Sequence, residues 1–246
     1  MTTGADCKAD RSPCTGGMDE TNDCVICFGD IHGHVAAAKA AIELAERLGV
    51  PAVFLGDYVD RGPDSLGVLI EAMSASRKHP EWIFLLGNHD LMLMQLIDGI
   101  RHPEGYDERT FNETLPTIPT EMQNSINAWL RDRPVFKRRS ACLFVHGGFT
   151  DSSIPLDEVS HDELVWTYGV PEDWRGEMVV RGHAVVDEVE IRPHDININT
   201  RCGFGGVLTG LLIDCVAGQP RHLWTISENG HLLRNTPIHG QAYRPC

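Results

Sequence analysis

Apolar runs of strand length alternate with amphipathic stretches through the first hundred of the chain's 246 residues. Cys24–Phe28, Ala52–Leu55 and Trp82–Leu86 are continuous apolar runs that read as strands. Between them, Val35–Leu48 has Ile42, Leu44, Ala45 and Leu48 near helical spacing, with Gly49 as a C-terminal stop. Ser65–Lys78 repeats the pattern with Leu66, Leu69, Ile70 and Met73, and Leu91–Ile100 begins a further helix. Strand, loop and helix repeated three times predict βαβ units and a parallel sheet. Right-handed crossovers put all three strand-end loops at one edge of that sheet, where ligands of such sheets bind.

Residues 101–140 break the rhythm. The segment is polar, carries Pro103, Pro116, Pro119 and Pro134, and holds one predicted helix, Glu121–Arg131. It reads as a cap-like insertion near 101–140, and its Lys137-Arg138-Arg139 cluster as a solvated strand edge. The second half is strand-rich: Ala141–Val145, Met178–Arg181, then Asp195–Asn199, Gly206–Asp214 and Leu223–Ile226 as antiparallel strands, with a hairpin at Asn229-Gly230. These strands are expected to form a second sheet stacked on the first. Polar, Gly-rich residues 1–22 read as a flexible leader, and 23–246 as one catalytic domain.

What the strands end in carries the chemistry. The first three runs are followed by Gly29-Asp30-Ile31-His32-Gly33-His34, Gly56-Asp57-Tyr58-Val59-Asp60-Arg61-Gly62 and Gly87-Asn88-His89-Asp90. Two later runs end in His146-Gly147-Gly148 and Gly182-His183. Any one of these is commonplace; Asp90 and His34 alone read as helix-start residues. All five in one order, each after a strand, form a candidate site for two divalent ions that activate water and clamp a phosphoryl group. Asp57 is the candidate bridge. Asp30, His32 and His183 are candidates for one ion, Asn88 and His146 for the other. A donor set of Asp, Asn and His without thiolate suits Mn²⁺, Fe²⁺ or Zn²⁺. Water shared by the two ions is the expected nucleophile, ionised near neutral pH. His89 is the candidate general acid, Asp60 its orienting partner, and Arg61 a bidentate phosphate grip.

Composition narrows the picture. The formal charge is −14, which argues against a nucleic-acid backbone as partner. No apolar run approaches the roughly 18 residues of a membrane span, and no secretory signal stands out. The expectation is a soluble, cytoplasmic enzyme acting on a phosphorylated protein or a small phosphoester. The eight cysteines, at 7, 14, 24, 27, 142, 202, 215 and 246, show no disulfide framework and read as reduced thiols. Cys24 and Cys27 lie three apart on a strand, so their sulfurs diverge.

The order GDIHGH, GDYVDRG, GNHD, HGG, GH resembles the phosphoprotein phosphatase branch of the calcineurin-like metallophosphoesterases, most of all its bacterial and phage serine/threonine phosphatases. The resemblance runs from Cys24 to the strand Gly206–Asp214 and includes Asn197-Ile198-Asn199-Thr200. It implies an α/β fold of two stacked mixed sheets flanked by helices. It implies Asp30, His32, Asp57, Asn88, His146 and His183 as metal ligands, His89 and Asp60 as the acid pair, and Arg61 with Asn88 on phosphate. Hydrolysis of phosphoserine and phosphothreonine in proteins, dependent on two divalent ions with Mn²⁺ effective in vitro, is the implied activity. Symmetric hydrolysis of diadenosine tetraphosphate is the alternative, and a non-catalytic phosphate-binding scaffold a remote third. Asp90 stands where eukaryotic members carry Glu, Arg181-Gly182-His183-Ala184 where relatives read His-Gly-His-Thr, and Tyr168 where bacterial relatives place a second phosphate-clamping arginine. Arg175, Arg181 and Arg201 are the candidates to replace it.

Overall fold

A computed structural model describes residues 23–100 and 114–238. The leader 1–22, with Cys7 and Cys14, lies outside these residues, as do residues 101–113 of the insertion and Cys246. The first half follows the expected pattern: β1 (Cys24–Phe28), α1 (Val35–Leu48), β2 (Ala52–Phe54), α2 (Ser65–Lys78), β3 (Ile83–Phe84) and α3 (Asn88–Ile97). Then come α4 (Thr120–Arg131), β4 (Phe136–Arg139), β5 (Cys142–Val145), α5 (His161–Trp166) and β6 (Met178–Arg181). β7 (Glu190–Ile191), β8 (Asp195–Asn197), β9 (Val207–Asp214), β10 (Gln219–Ser227) and β11 (Leu232–Pro237) complete the order.

The strands form two mixed sheets flanked by helices, the expected α/β class. One has the order β11-β10-β9-β1-β2-β3 and the other β4-β5-β6-β8-β7. β1, β2 and β3 are parallel, as are β5, β6 and β8. Two expectations change here. β8 runs parallel to β6, and β9 to β11 extend the first sheet instead of building the second. β9 pairs antiparallel with β1 along the whole length of β1, Cys24↔Asp214 to Phe28↔Gly210. Alternation fixes which side chains of a strand face inward; it does not say which free sheet edge the strand joins.

Both faces of the central strands are buried, which is why they read as unbroken apolar runs. Val25 and Cys27 of β1 turn into a cluster that joins the sheets, with Val53, Leu85, Phe144, Val180, Ile196, Leu211 and Ile213. Ile26 and Phe28 face the other way and pack with Ala37, Ala41, Leu44 and Val68 of α1 and α2. Cys27 belongs to the inter-sheet cluster and Cys24 does not, so the two thiols diverge. Cys27, Cys142, Cys202 and Cys215 are buried free thiols.

Local devices set the helix ends. Gly49 closes α1 at φ 66°, a left-handed conformation that costs glycine little. Asp64 caps α2 by accepting the Gly67 N–H. α3 starts three residues earlier than its apolar spacing indicates, because the Asp90 carboxylate accepts the Gly87 N–H at 2.9 Å and closes the first turn. Asn88 and His89 thereby ride on a helix and not on a loop. β4 is an edge strand, and its Arg138 and Arg139 pair with Glu177 and Asp23.

Candidate metal centre

Asp30 and His32 follow β1, Asp57 to Arg61 follow β2, and Asn88 and His89 open the helix after β3. His146 follows β5 and His183 follows β6. All five are C-terminal ends of parallel strands, and the topology brings them to one edge of the sandwich. Asp30, His32, Asp57, Asp60, Asn88, His89 and His146 are all buried.

Asp57 stands between two groups of donors. Its Oδ2 lies 3.5 Å from His32 Nε2, and its Oδ1 lies 3.4 Å from His146 Nε2. His32 Nε2 is also 3.9 Å from Asp30 Oδ2, and His146 Nε2 is 3.0 Å from Asn88 Oδ1. Asp57 with His146 and His183, and Asp57 with His32 and His89, each bring three donor atoms within 4.8 Å of one another. Asp57 is common to both clusters. His89 does not have its nitrogens free for a cation: Nδ1 is 2.7 Å from Asp60 Oδ2, and Nε2 is 2.9 Å from the Arg61 guanidinium.

The outer partners orient the inner ones. His32 Nδ1 donates to the Val59 carbonyl at 2.9 Å and His146 Nδ1 to the Leu55 carbonyl at 2.8 Å, turning both Nε2 atoms toward Asp57. His183 bonds the Trp166 backbone, and its Nε2 is buried with no hydrogen-bond partner among the described residues. An imidazole nitrogen buried among carboxylates without a partner fits a metal ligand. Asn199 donates to Asp30 Oδ2 at 2.6 Å and to the His183 carbonyl at 3.0 Å, tying the first and last motifs together.

The backbone is strained where the ligands sit. Among the described residues, His32, Asp57, Asp60, Arg61 and His183 are five of the seven non-glycine residues at positive φ, between 47° and 70°. Such conformations cost free energy and concentrate where geometry serves chemistry.

The electrostatics are those of a site built for cations. Burial pushes the Asp30 carboxyl up to about 7. Burial drives His32 and His183 down to about 3, so both imidazoles offer a neutral lone pair at neutral pH. Burial also opposes charge on His146, but the adjoining Asp57 carboxylate overrides it and lifts the imidazole to about 9. Asp57 is correspondingly held well below the usual carboxylate range, its burial outweighed by His146 and His89.

Beside the ligands, His89 and Asp60 form the expected pair. Thr114, from the described end of the insertion, donates to the other oxygen of Asp60. The Arg61 guanidinium lies 4.1 Å over the Phe204 ring. The three arginines proposed to replace the clamp at Tyr168 have other partners in this conformation. Arg181 is buried and bidentate to Asp195 at 2.7 and 3.0 Å, Arg201 pairs with Asp187, and Arg175 bonds backbone carbonyls of its own turn. Tyr168 lies with its ring 4.5 Å from that of His183.

Four contributors lie beyond the sequence-derived set. Asn199 sits in the Asn-Ile-Asn-Thr stretch, where the resemblance carried a signal but no role. Asp90 reads as a cap and also accepts the N–H groups of Asp57 and Tyr58. Thr114 and Phe204 stand in segments with no recognisable pattern.

The profile of the calcineurin-like phosphoesterases matches residues 25–201, and the chain belongs to that family. Among curated relatives, a symmetrical bis(5'-nucleosyl)-tetraphosphatase of Burkholderia pseudomallei is 34% identical over 154 residues, covering 61% of this chain and 51% of the relative. One of the same name from Burkholderia mallei is 36% identical over 136 residues, covering 54% and 45%. The chain spans about half the length of these curated relatives. Among solved structures, one described as a candidate diadenosine tetraphosphatase has a TM-score of 0.60 at 23% identity and covers 88% of this chain and 94% of its own. A Saccharomyces cerevisiae protein serine/threonine phosphatase has a TM-score of 0.55 at 17% identity, with coverage of 80% and 74%. Likeness at these identities shows the fold.

Proposed function

We propose that this chain is a two-metal phosphoesterase that cleaves dinucleoside tetraphosphates symmetrically into two nucleoside diphosphates. The observation that carries the phosphoesterase reading is the placement of Asp57 between two donor clusters with the His89–Asp60 pair alongside. The names of the curated relatives favour the dinucleotide over a phosphoprotein, which reverses the order of the two readings drawn from the motifs. Hydrolysis of phosphoserine and phosphothreonine is the second reading, and the spelling of the motifs favours it. The catalytic unit is taken as one domain over 23–246.

Asp30, His32 and Asp57 would hold one divalent ion, and Asp57, Asn88, His146 and His183 the other; His183 clusters with His146 and not, as expected from the sequence, with Asp30 and His32. When bound, the pair of ions supplies an acidified water and neutralises charge on the phosphoryl oxygens. The protein does the rest. Arg61 and the Asn88 amide bind the phosphate oxygens. With phosphate bound, the Arg61 guanidinium would turn from His89 to the phosphate oxygens, and the freed Nε2 would take up a proton from solvent and pass it to the departing oxygen. Asp60 holds the opposite ring nitrogen and stabilises the charged imidazole.

The test is product analysis with the Mn²⁺-loaded protein. Two ADP per diadenosine tetraphosphate support the proposal. Phosphate release from a phosphoserine peptide without dinucleotide cleavage would support the second reading. An inert protein that binds phosphate would return the scaffold reading.

A further inference from the structure

Two aromatic side chains flank the candidate site in a way that the metal chemistry does not require. Among the described residues, Tyr168 and Phe204 are the exposed members of the Phe, Tyr and Trp set, at 73% and 48%. Both stand at the rim of this one site. Tyr168 lies against His183, and Phe204 lies under Arg61, which reaches His89. One ring therefore stands on the late-histidine side of the ligands and the other on the side of the acid pair. Val185, 43% exposed, adds apolar surface two residues beyond His183.

Both rings sit on segments pinned to the ligand loops. A Cβ on Gly147 would fall 2.6 Å from the Thr167 carbonyl oxygen, and one on Gly148 would overlap the Gly169 carbonyl. Only glycine after His146 lets the Tyr168 segment pack so close, and the Phe149 N–H holds it through Gly169 at 3.0 Å. A Cβ on Gly203 would meet the His32 ring at 2.6 Å, and Cys202 bonds the Ile31 carbonyl. Scattered exposed hydrophobic residues mean little. Exposed rings confined to one rim and fixed in position are preorganised contact surface.

We propose that Tyr168 and Phe204 are specificity-determining residues that select phosphoesters carrying a flat ring, each offering exposed ring surface against which that ring packs. The ring is either a nucleobase or an aryl group esterified directly to phosphate. The proposal rests on the phosphoesterase reading above and names what its substrate must contain.

The experiment measures binding to the Mn²⁺-loaded protein by calorimetry, with released phosphate assayed after each titration so that heat from turnover is separated from heat of binding. ADP is compared with pyrophosphate, which has the same diphosphate and no ring. Benzyl phosphate is compared with cyclohexylmethyl phosphate, similar in bulk and not flat. Stacking on an aromatic side chain is worth roughly tenfold or more per ring. Wild type is expected to prefer at least one ringed ligand by about tenfold, and Tyr168→Ala or Phe204→Ala to abolish most of that preference. Tyr168→Phe should keep it. A response confined to ADP identifies a nucleobase; one confined to benzyl phosphate identifies an aryl ester. Loss of Arg61 support in Phe204→Ala would weaken both members of a pair and leave their ratio intact. Equal affinity for ringed and ringless ligands in wild type, or ratios unchanged in the double variant, overturns the proposal. Ring preference without hydrolysis would sink the phosphoesterase reading and leave this one standing.

Discussion

Asp90 Oδ2 accepts the backbone N–H of Asp57 at 2.7 Å, so a residue that is not itself a ligand fixes the turn that presents the central carboxylate. The same side chain accepts from Tyr58 at 2.9 Å and from Gly87 at 2.9 Å. Asp90→Ala leaves three amide hydrogens without their acceptor in a fully buried place. Each orphan costs about 1–3 kcal/mol, so the expected loss is about 3 kcal/mol or more in urea unfolding. Metal affinity should fall about 10–100-fold, as for other lost outer partners. Wild-type stability in this variant would remove Asp90 from the account.

His183 offers a cleaner test of metal count. Its side chain is less enclosed than the other ligands, and its Nε2 has no other partner to lose. His183→Ala should fold, bind one Mn²⁺ tightly where wild type binds two, and lose turnover. Calorimetric stoichiometry decides it, and two tight sites in the variant would refute the assignment.

The acid role of His89 depends on what leaves. A serine alkoxide needs a proton in the transition state; a nucleoside diphosphate leaves as a stabilised anion. His89→Asn should cost about 10²–10⁴ in kcat for an alkyl phosphate and markedly less for a dinucleoside tetraphosphate. Asp60→Asn should follow in the same order with a smaller loss. Equal losses on both substrates would move His89 from proton donor to binding residue.

The metal-free protein should be sensitive to alkali. His146 is raised to about 9 against an unfolded value near 6.5. Its contribution to stability is fully present below the unfolded value and is lost as pH rises through the folded one. Asp30 and Asp90, both raised to about 7 by burial, act in the same direction and are lost as pH rises through that value. His32 and His183, depressed to about 3, act in the opposite sense, but their effect is complete by about pH 6.5. The Tm of the chelated protein should therefore fall between pH 6.5 and 9. Saturating Mn²⁺, which takes the His146 lone pair, should raise Tm and replace that dependence. A Tm that climbs through this window without metal would contradict the ion pair of His146 with Asp57.

Much of this site is legible in the chain because parallel strands end where ligands belong. Once β1, β2 and β3 are read from their apolar runs, topology gathers Asp30, Asp57 and Asn88 without further information. The partners were less legible for an equally physical reason. Asn199 reaches Asp30 across 169 positions of sequence, and a lone asparagine carries no spacing that marks it. Arg181 looks like a phosphate ligand in sequence because it adjoins Gly182-His183. Alternation along β6 turns its side chain inward to Asp195, away from the site. The placement of β9 beside β1 was hidden because inward-facing residues suit either sheet.

The turns that hold His32, Asp57, Asp60, Arg61 and His183 in left-handed conformations bear on how such a chain can evolve. Selection for sturdiness alone would favour glycine or asparagine at these places, since either relaxes the backbone. Imidazoles, carboxylates and a guanidinium stand there instead, as expected where selection favours chemistry at the site over backbone ease. A descendant released from that demand should shed them first, long before its core changes, and the five positions together would date the loss.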